Sequence, residues 1–460
     1  MTYLNEQEMK PFPFQEECIT ELIDKFAGRG LLSAEMGLGK TLMSLSVAGR
    51  LEAWPVVVVC PASLKWNWQQ EVRKVLDMRS HILEGRKPEP AALLQRHKIL
   101  ILNYDILAAW LPVLRELKPR CVILDECQYI ANPSTKRTKA VKQLCRHVKH
   151  VMALSGTPLI NRPIELYPVL NLLANKVFRS RFTYGKTFCN GRRSPWGWDF
   201  TGRSNTKELN TLLLQTCMVR RRKADVLHDL PPKIRQVHPL PMRDREQYQK
   251  AVDDFIGWLE ENDPKKATAA KKAEVLVQTG ALLRLAAKLK FRGVVDWINQ
   301  FLADNPEEKI VVFAVHRKMI EALLRRISLP AVRIDGSVAG RDRQTAVQRF
   351  QGDKNCRVFV GNIQAAGVGL TLTAASHVAF TELSWRPGDH IQAEDRCHRI
   401  GATGTVWAHY LVAYGSIESR LCRVLQAKQG TISAILDGGR TEEDLDVFDQ
   451  LLEEVKKVKK

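Results

Sequence analysis

GLLSAEMGLGKT, residues 30–41, is the stretch on which the reading of this chain turns. Leu31 and Leu32 read as the end of a buried strand, Gly37-Leu38-Gly39 as a tight turn, and Lys40-Thr41 as the opening of a helix continuing through Leu42, Met43 and Leu45. This is the layout of a phosphate-binding loop. Glycines let backbone N–H groups curl round an anion, and the helix N-terminus adds partial positive charge. In such a loop Gly37 and Gly39 shape the cradle, Lys40 reaches the β- and γ-phosphates, and the Thr41 hydroxyl ligates Mg²⁺. The strict pattern G-x-x-x-x-G-K-[ST] has glycine where this chain has Ala34, so Gly37 is expected to supply the flexibility. An ordinary glycine-bearing strand-to-helix turn is the alternative, and the flanking sequence decides between them.

Upstream, Pro11-Phe12-Pro13-Phe14-Gln15 precedes a helical pattern of Cys18, Ile19, Leu22, Ile23 and Phe26. The Gln15 amide offers a donor and an acceptor, which suits an adenine edge. Downstream, the β-branched run Val56-Val57-Val58-Val59-Cys60 has the signature of a strand buried on both faces. Trp66 and Trp68 follow on an amphipathic helix, and further strands are expected at residues 99–103, 121–124 and 151–154. Strands alternating with helices predict an α/β fold with a doubly wound parallel sheet, whose ligands bind beyond the carboxyl ends of the strands. Beyond Leu124 stand Asp125 and Glu126, placed to hold Mg²⁺ through water and to deprotonate an attacking water. Beyond Leu154, Ser155-Gly156-Thr157-Pro158 offers small hydroxyl residues to relay the state of the phosphate site.

The 460 residues suffice for two or three domains, and 45% hydrophobic with 26% charged content is that of a soluble globular protein. The N-terminal segment lacks the apolar core of a signal peptide, and no apolar run reaches membrane-spanning length. A soluble, intracellular monomer is expected, in the nucleoid or the nucleus. Seventy Lys+Arg against fifty Asp+Glu give a net charge of +20, which favours a polyanionic partner, although a basic surface can also serve solubility alone. Ten scattered cysteines without a C-x-x-C pair read as thiols in a reducing compartment, not zinc ligands or disulfides.

The order GLGKT, CPASL, DECQ, LSGTP resembles the first ATPase lobe of superfamily II helicase-like proteins of the Swi/Snf type. Matching blocks occur at Phe313-Ala314-Val315-His316, at Ile334-Asp335-Gly336-Ser337, in GNIQAAGVGLTLTAA (residues 361–375) and in QAEDRCHRIG (residues 392–401). PWGWDFTGRSN (195–205) and MVRRRKADVLHDLPPK (218–233) look like the branch containing the annealing helicases, which remodel branched DNA. The resemblance spans residues 14–436, and a catalytic core without added recognition domains is expected. It implies a RecA-like lobe over 1–168, helical basic insertions and a connection over 169–290, a second RecA-like lobe over 291–436 and a charged tail over 437–460.

The resemblance further implies ATP and Mg²⁺ as cofactors and duplex or branched DNA as partner. It assigns Gln15 to adenine, Lys40 and Thr41 to phosphate and Mg²⁺, Asp125 to Mg²⁺, Glu126 to water activation, and Gly369 and Gln392 to the nucleotide. Arg396 and Arg399 become arginine fingers; spreading γ-phosphate charge calls for a planar, permanently charged fork. Ser63, Lys65, His316 and Asn362 fall at expected nucleic-acid contacts. The basic run Arg220-Arg221-Arg222-Lys223 and the interleaved Phe178, Arg179, Arg181, Phe182, Arg192 and Arg193 suit phosphate-backbone contact. Trp196 and Trp198 could stack on bases, but packing is the favoured reading for both. The chain departs from the family at Gln128, where histidine is usual, and at Ala402, where glutamine is frequent; the Gln128 amide can still hydrogen-bond to residues 155–157. The leading expectation is a duplex-DNA translocase, with strand annealing, fork remodelling or DNA repair as its task. A strand-separating DNA or RNA helicase and an inactive ATP-switched clamp stand beside it.

Overall fold

The run Val56–Cys60 forms the fully buried strand that its β-branched composition predicts, in the interior of the first of two parallel sheets. The computed structural model describes residues 10–159, 162–194, 197–227, 230–261, 269–338, 340–366, 370–399, 401–402 and 404–437. These divide into two units, separated between residues 227 and 230 and again between Gly430 and Thr431, after which the chain belongs to the first unit once more.

In the first unit the strands are β1 (Arg29–Ala34), β2 (Val56–Cys60), β3 (His81–Ile82), β4 (Ile99–Asn103), β5 (Cys121–Asp125), β6 (His150–Leu154), the short β7 (Arg192–Ser194) and β8 (Gly197–Asp199), and β9 (Met218–Arg221). The main sheet runs in the order β3-β4-β2-β5-β6-β1-β9, all parallel, so the carboxyl ends of β1, β5 and β6 share one edge. The first part of the 169–290 segment, expected as helical insertions, does not stay outside this sheet. It leaves as helices and the β7–β8 pair and returns as β9, which pairs with β1 in the register Leu31↔Met218 to Ala34↔Arg221.

The second unit holds β10 (Lys233–Leu240), β11 (Ile310–Ala314), β12 (Ala331–Ile334), β13 (Val358–Asn362), β14 (His377–Phe380) and β15 (Val406–Ala413), ordered β10-β15-β14-β11-β13-β12 and again all parallel. Its core is built from Val311, Phe313, Phe359 and Phe380 on one face and Val312, Val358, Val360 and Ile320 on the other. Within the expected connection, residues 262–268 lie outside the described residues and Ala269 opens the helix Ala269–Asp304. Of the expected charged tail, residues 438–460 lie outside them too. All ten cysteines are buried and none forms a disulfide. No helix among the described residues is long and apolar enough to cross a membrane.

Two buried polar devices in the second unit have measurable consequences. Lys290 is fully buried; it donates to the Leu411 carbonyl and lies 2.6 Å from Glu418, which also accepts from the Ala413 N–H. Burial raises the Glu418 pKa, and Lys290 opposes the rise. Lys290→Met would strand that carboxylate, at a cost of roughly 3–5 kcal/mol. The fall in urea midpoint measures it, and adding Glu418→Gln should recover part of the loss.

His238, His409 and His377, on β10, β15 and β14, form a row linked by two ring N···N contacts of 3.0 Å against Trp297 and Phe301. Each link requires one N–H and one lone pair, an arrangement that three neutral rings satisfy. Burial depresses all three, and His409, flanked by the other two rings, falls to about 3; Glu308 offsets part of the effect at His377. A histidine whose folded pKa lies below its unfolded value contributes stability above the unfolded value, and loses it as pH falls toward the folded one. Stability should therefore decline from about pH 6.5 downward. Urea unfolding as a function of pH checks this, and His409→Asn should flatten the acid limb.

Candidate active site

The phosphate loop leaves the carboxyl end of β1. Gly37 (φ +86°) and Gly39 (φ +82°) take left-handed backbone that a side chain would strain, and Gly39 is the N-cap of the helix Lys40–Arg50. A Cβ at Gly39 would lie 2.3 Å from Gln15 Nε2, so this glycine also makes room for the glutamine. Gln15 is buried; its Nε2 donates to the Leu38 carbonyl (2.9 Å) and its Oε1 accepts from the Phe12 N–H (2.9 Å). It is thus a brace beneath the loop as well as the expected adenine reader. Lys40 Nζ donates to the carbonyls of Ala34 (2.8 Å) and Glu35 (3.2 Å), which places its ammonium inside the turn. Ala34, the departure from the strict glycine, is fully buried at the end of β1.

Asp125 ends β5 on the same edge. Trp68 Nε1 donates to its Oδ2 (2.8 Å), the Glu126 N–H to its Oδ1 (2.9 Å), and Tyr104 Oη to its carbonyl (2.8 Å). Burial and then the neighbouring Glu126 charge push Asp125 up to about 7, against the pull of Trp68 and Lys40. Such a carboxyl is primed to be ionised by a nearby cation. The Thr41 hydroxyl and the Asp125 carboxylate, the two expected donors, are both hard oxygen. No cluster of three or more His, Cys, Asp or Glu able to hold a metal occurs among the described residues. Hard oxygens are the donors that Mg²⁺ takes, with water and substrate phosphates completing its shell.

Glu126 is buried and left-handed (φ +50°), a backbone turn that carries its side chain away from the strand direction. Its Oε2 accepts from Gln128 Nε2 (2.7 Å); Gln128 Oε1 accepts from Ser155 Oγ (2.8 Å); Ser155 Oγ accepts from the Thr157 N–H (3.1 Å). The amide standing in the usual histidine position therefore bridges to residues 155–157, and a continuous path joins the carboxylate to the end of β6. Met36 and Lys40 close over Gly156, where a Cβ would meet Met36 Cγ at 2.8 Å.

In the second unit the helix Pro387–Glu394 leads into Arg396 and Arg399. Arg396 is 3% exposed and donates to the Leu370 carbonyl (3.2 Å); Arg399 donates to the same carbonyl (3.4 Å) and to Thr371 Oγ1 (2.9 Å). The two guanidiniums are thus gathered on one backbone segment. Gln392 is buried on the same helix, and Gly369 lies outside the described residues. Glu394, fully buried, takes Arg235 through both carboxylate oxygens (2.8 and 2.7 Å), Lys233 at 3.0 Å and the Tyr410 hydroxyl at 2.8 Å, and these cations hold it down to about 2. Asp395 lies 3.1 Å from Lys233. The helix preceding the arginines is thus anchored to β10 and β15.

His316 caps the helix Arg317–Arg326; its Nδ1 lies 2.7 Å from Glu382 Oε1, while Glu382 Oε2 takes the N–H groups of Val315 and His316. Asn362 donates to the Val315 carbonyl (2.6 Å), so His316, Asn362 and Glu382 meet at the carboxyl ends of β11, β13 and β14. Sequence reasoning missed Glu382, although the rule applied to β5 and β6, inspecting the residues just past each strand end, would have found it. Glu394, Trp68 and Glu35 were missed as well; their partners are too distant in sequence for any local pattern to reveal.

The basic run at residues 220–223, expected at the phosphate backbone, is ion-paired within its own unit. Arg220 is bound to Asp437 (2.9 Å), Glu35 (3.6 Å) and the Ser33 carbonyl (3.1 Å), Arg221 to Glu21 (3.4 Å) and Glu17 (3.7 Å), and Arg222 bidentately to Asp225 (2.7 Å). Lys223 is buried with its N–H on Glu35 Oε2. As β9 these residues lie beside the phosphate-loop strand, and acids of the same unit neutralise them. Lys65 is buried too, its ammonium meeting the Leu83 carbonyl (3.3 Å) and Glu84 (3.7 Å). Ser63 stays half-buried in the turn Ala62–Leu64 after β2. Trp198, favoured as packed, is 43% exposed; Trp196 lies outside the described residues.

The SNF2-related domain matches residues 14–290 and the Helicase conserved C-terminal domain residues 293–401. The Xenopus tropicalis SWI/SNF-related matrix-associated actin-dependent regulator of chromatin subfamily A-like protein 1 is 34% identical over 427 residues, covering 90% of this chain and 44% of its own length. The human DNA annealing helicase and endonuclease ZRANB3 is 33% identical over 447 residues, covering 93% and 40% respectively. The chain thus spans less than half the length of both curated relatives. The Sulfolobus solfataricus SWI2/SNF2 ATPase core in complex with dsDNA is similar at 23% identity and a TM-score of 0.43, covering 98% of this chain and 99% of that one.

Proposed function

Because the chain belongs to the SNF2-related family, we propose that it is a DNA-stimulated ATPase that moves along duplex DNA without fully separating the strands. The observation that carries this reading is the hydrogen-bonded path from Glu126 through Gln128 to Ser155 and Thr157, set beside a glycine loop whose lysine lies inside the turn. A switch-only clamp has no need of a buried carboxylate held at one oxygen and poised at the other.

In this reading Gln15 reads adenine while bracing the loop, and Lys40 exchanges loop carbonyls for phosphate oxygens. Thr41 and Asp125 hold Mg²⁺, which neutralises phosphate charge when bound. Glu126 accepts the proton of the attacking water. Arg396 and Arg399 offset the charge that spreads over the γ-phosphate in the transition state. Backbone contacts carry little sequence information, so DNA is recognised by shape and charge, with steep salt dependence. His316, Asn362 and Ser63 belong to that surface, and Arg220–Lys223 and Lys65 would join it by exchanging their ion pairs within the fold for phosphates. The annealing-helicase branch makes branched or forked DNA the natural substrate, and a nuclear or nucleoid location accords with a DNA partner.

ATP turnover measured with duplex DNA, single-stranded DNA and RNA tests the proposal, alongside triplex displacement and forked-duplex unwinding. Stimulation by duplex with displacement but no unwinding is the expected result; stimulation by RNA alone would overturn it. The relay has its own test. Gln128→Ala removes a hydrogen bond to a charged group and should lower kcat by roughly tenfold or more, whereas Gln128→His should retain most of the rate. Equal rates in all three proteins would remove the relay from the mechanism.

A further inference from the structure

Residues 175–204 carry seven Lys and Arg against a single acid, Asp199, together with seven aromatic residues. The segment makes the helix Arg181–Phe188 and the β7–β8 pair, in which Arg193 stands opposite Trp198 and Arg192 opposite Asp199. By strand alternation Trp198 and Phe200 share a face, with Arg193 across from them. Phe200 is seated in a slot made by two glycines: a Cβ at Gly185 would lie 2.4 Å from its ring and a Cβ at Gly191 2.8 Å from it. Trp198 lies nearly parallel to Phe200, with centroids 6.2 Å apart, and Phe182 meets Trp198 edge-on at 4.9 Å. With the slot filled by Phe200, Trp198 and Phe182 remain 43% and 46% exposed. Lys186 lies 5.4 Å from the Trp198 ring centre and 5.9 Å from that of Phe182, and Arg181 5.9 Å from that of Phe200. Lys176, Arg179, Arg192 and Arg193 are exposed around them.

Two large rings held in water on a glycine-fitted base form a platform, and the surrounding charge selects what it receives. An apolar protein partner would not need the cations, and an acidic one would not need a planar indole. Unpaired nucleotides need both: π-faces for the bases and cations for the phosphates. We propose that Phe182 and Trp198 stack on unpaired bases at the junction between single- and double-stranded DNA, with Lys186, Arg192 and Arg193 on the adjoining phosphates. This rests on the DNA-dependent reading above and deepens it. The motor core would track paired backbone, and this platform would recognise where pairing ends.

The test is fluorescence anisotropy of the full chain on a blunt duplex and on the same duplex with one single-stranded arm. The parent protein should prefer the forked probe. Trp198→Ala combined with Phe182→Ala should lower affinity for it by roughly tenfold or more, the scale of lost base stacking. Affinity for the blunt duplex, and ATP turnover stimulated by it, should stay at the parent level. Trp198→Phe should keep most of the preference, which a merely structural role for the indole would not predict. Arg192→Ala with Arg193→Ala should weaken forked binding and reduce its salt dependence. Equal parental affinity for both probes, an equal loss on both in the aromatic variant, or binding of an acidic peptide in preference to the forked probe would overturn the proposal. Absence of any DNA-stimulated turnover defeats the ATPase reading instead; stimulated turnover without a Trp198-dependent fork preference defeats only this one.

Discussion

Glu126→Gln should still bind ATP and lose hydrolysis by roughly two to four orders of magnitude, the span expected for a positioned general base. The amide has nearly the same shape and can still accept from Gln128 Nε2, 2.7 Å away in the parent, so loop and relay should persist. The ability to take a proton is lost. Single-turnover hydrolysis combined with binding of a fluorescent nucleotide separates the two properties. Unchanged turnover would remove Glu126 from its role and with it the reading of the first unit as a hydrolytic site.

Arg399→Ala should lower DNA-stimulated turnover by roughly three to five orders of magnitude if its guanidinium acts on the transferring phosphate. Arg399→Lys should recover little, because a point charge on a flexible stem does not reproduce a planar, bidentate fork. Arg399 is the cleaner of the two arginines to test. It is only half-buried and held by Thr371 Oγ1 and the Leu370 carbonyl, whereas Arg396 is 3% exposed, so its removal should also lower the melting temperature. A melting curve beside each rate distinguishes lost catalysis from lost fold. Parental turnover in Arg399→Ala would end the assignment.

The elements that were legible in the sequence are those whose cause is local. Val56–Cys60 had to be a buried strand because five consecutive apolar residues leave no polar face to turn outward. Gly37 and Gly39 announced left-handed backbone, and Asp125, Glu126, Ser155 and Thr157 could be placed because parallel strands deliver the residues at their carboxyl ends to one edge. What the sequence could not show arises where the deciding partner is distant. Arg220–Lys223 reads as an exposed basic run, but the acids that neutralise it include Glu35, Glu21 and Asp437, about 190 to 220 positions away, brought in by β9 pairing with β1. Lys65 shows the same effect on a smaller scale, since its partners come from the loop after β3. Trp198 failed for a different reason. Composition says that an indole prefers burial, but the two-glycine slot fits one ring, and Phe200 occupies it.

The burial of all ten thiols has a practical consequence. Desolvation raises the pKa of residues such as Cys121, Cys127 and Cys397 and disfavours the reactive thiolate. A maleimide fluorophore should therefore ignore the native protein, and no wild-type residue need be replaced before labelling. Leu93→Cys in the first unit and Val277→Cys in the second, at side chains 53% and 64% exposed, would accept a donor–acceptor pair. Energy transfer between the dyes could then track inter-unit distance in real time as nucleotide is added and consumed.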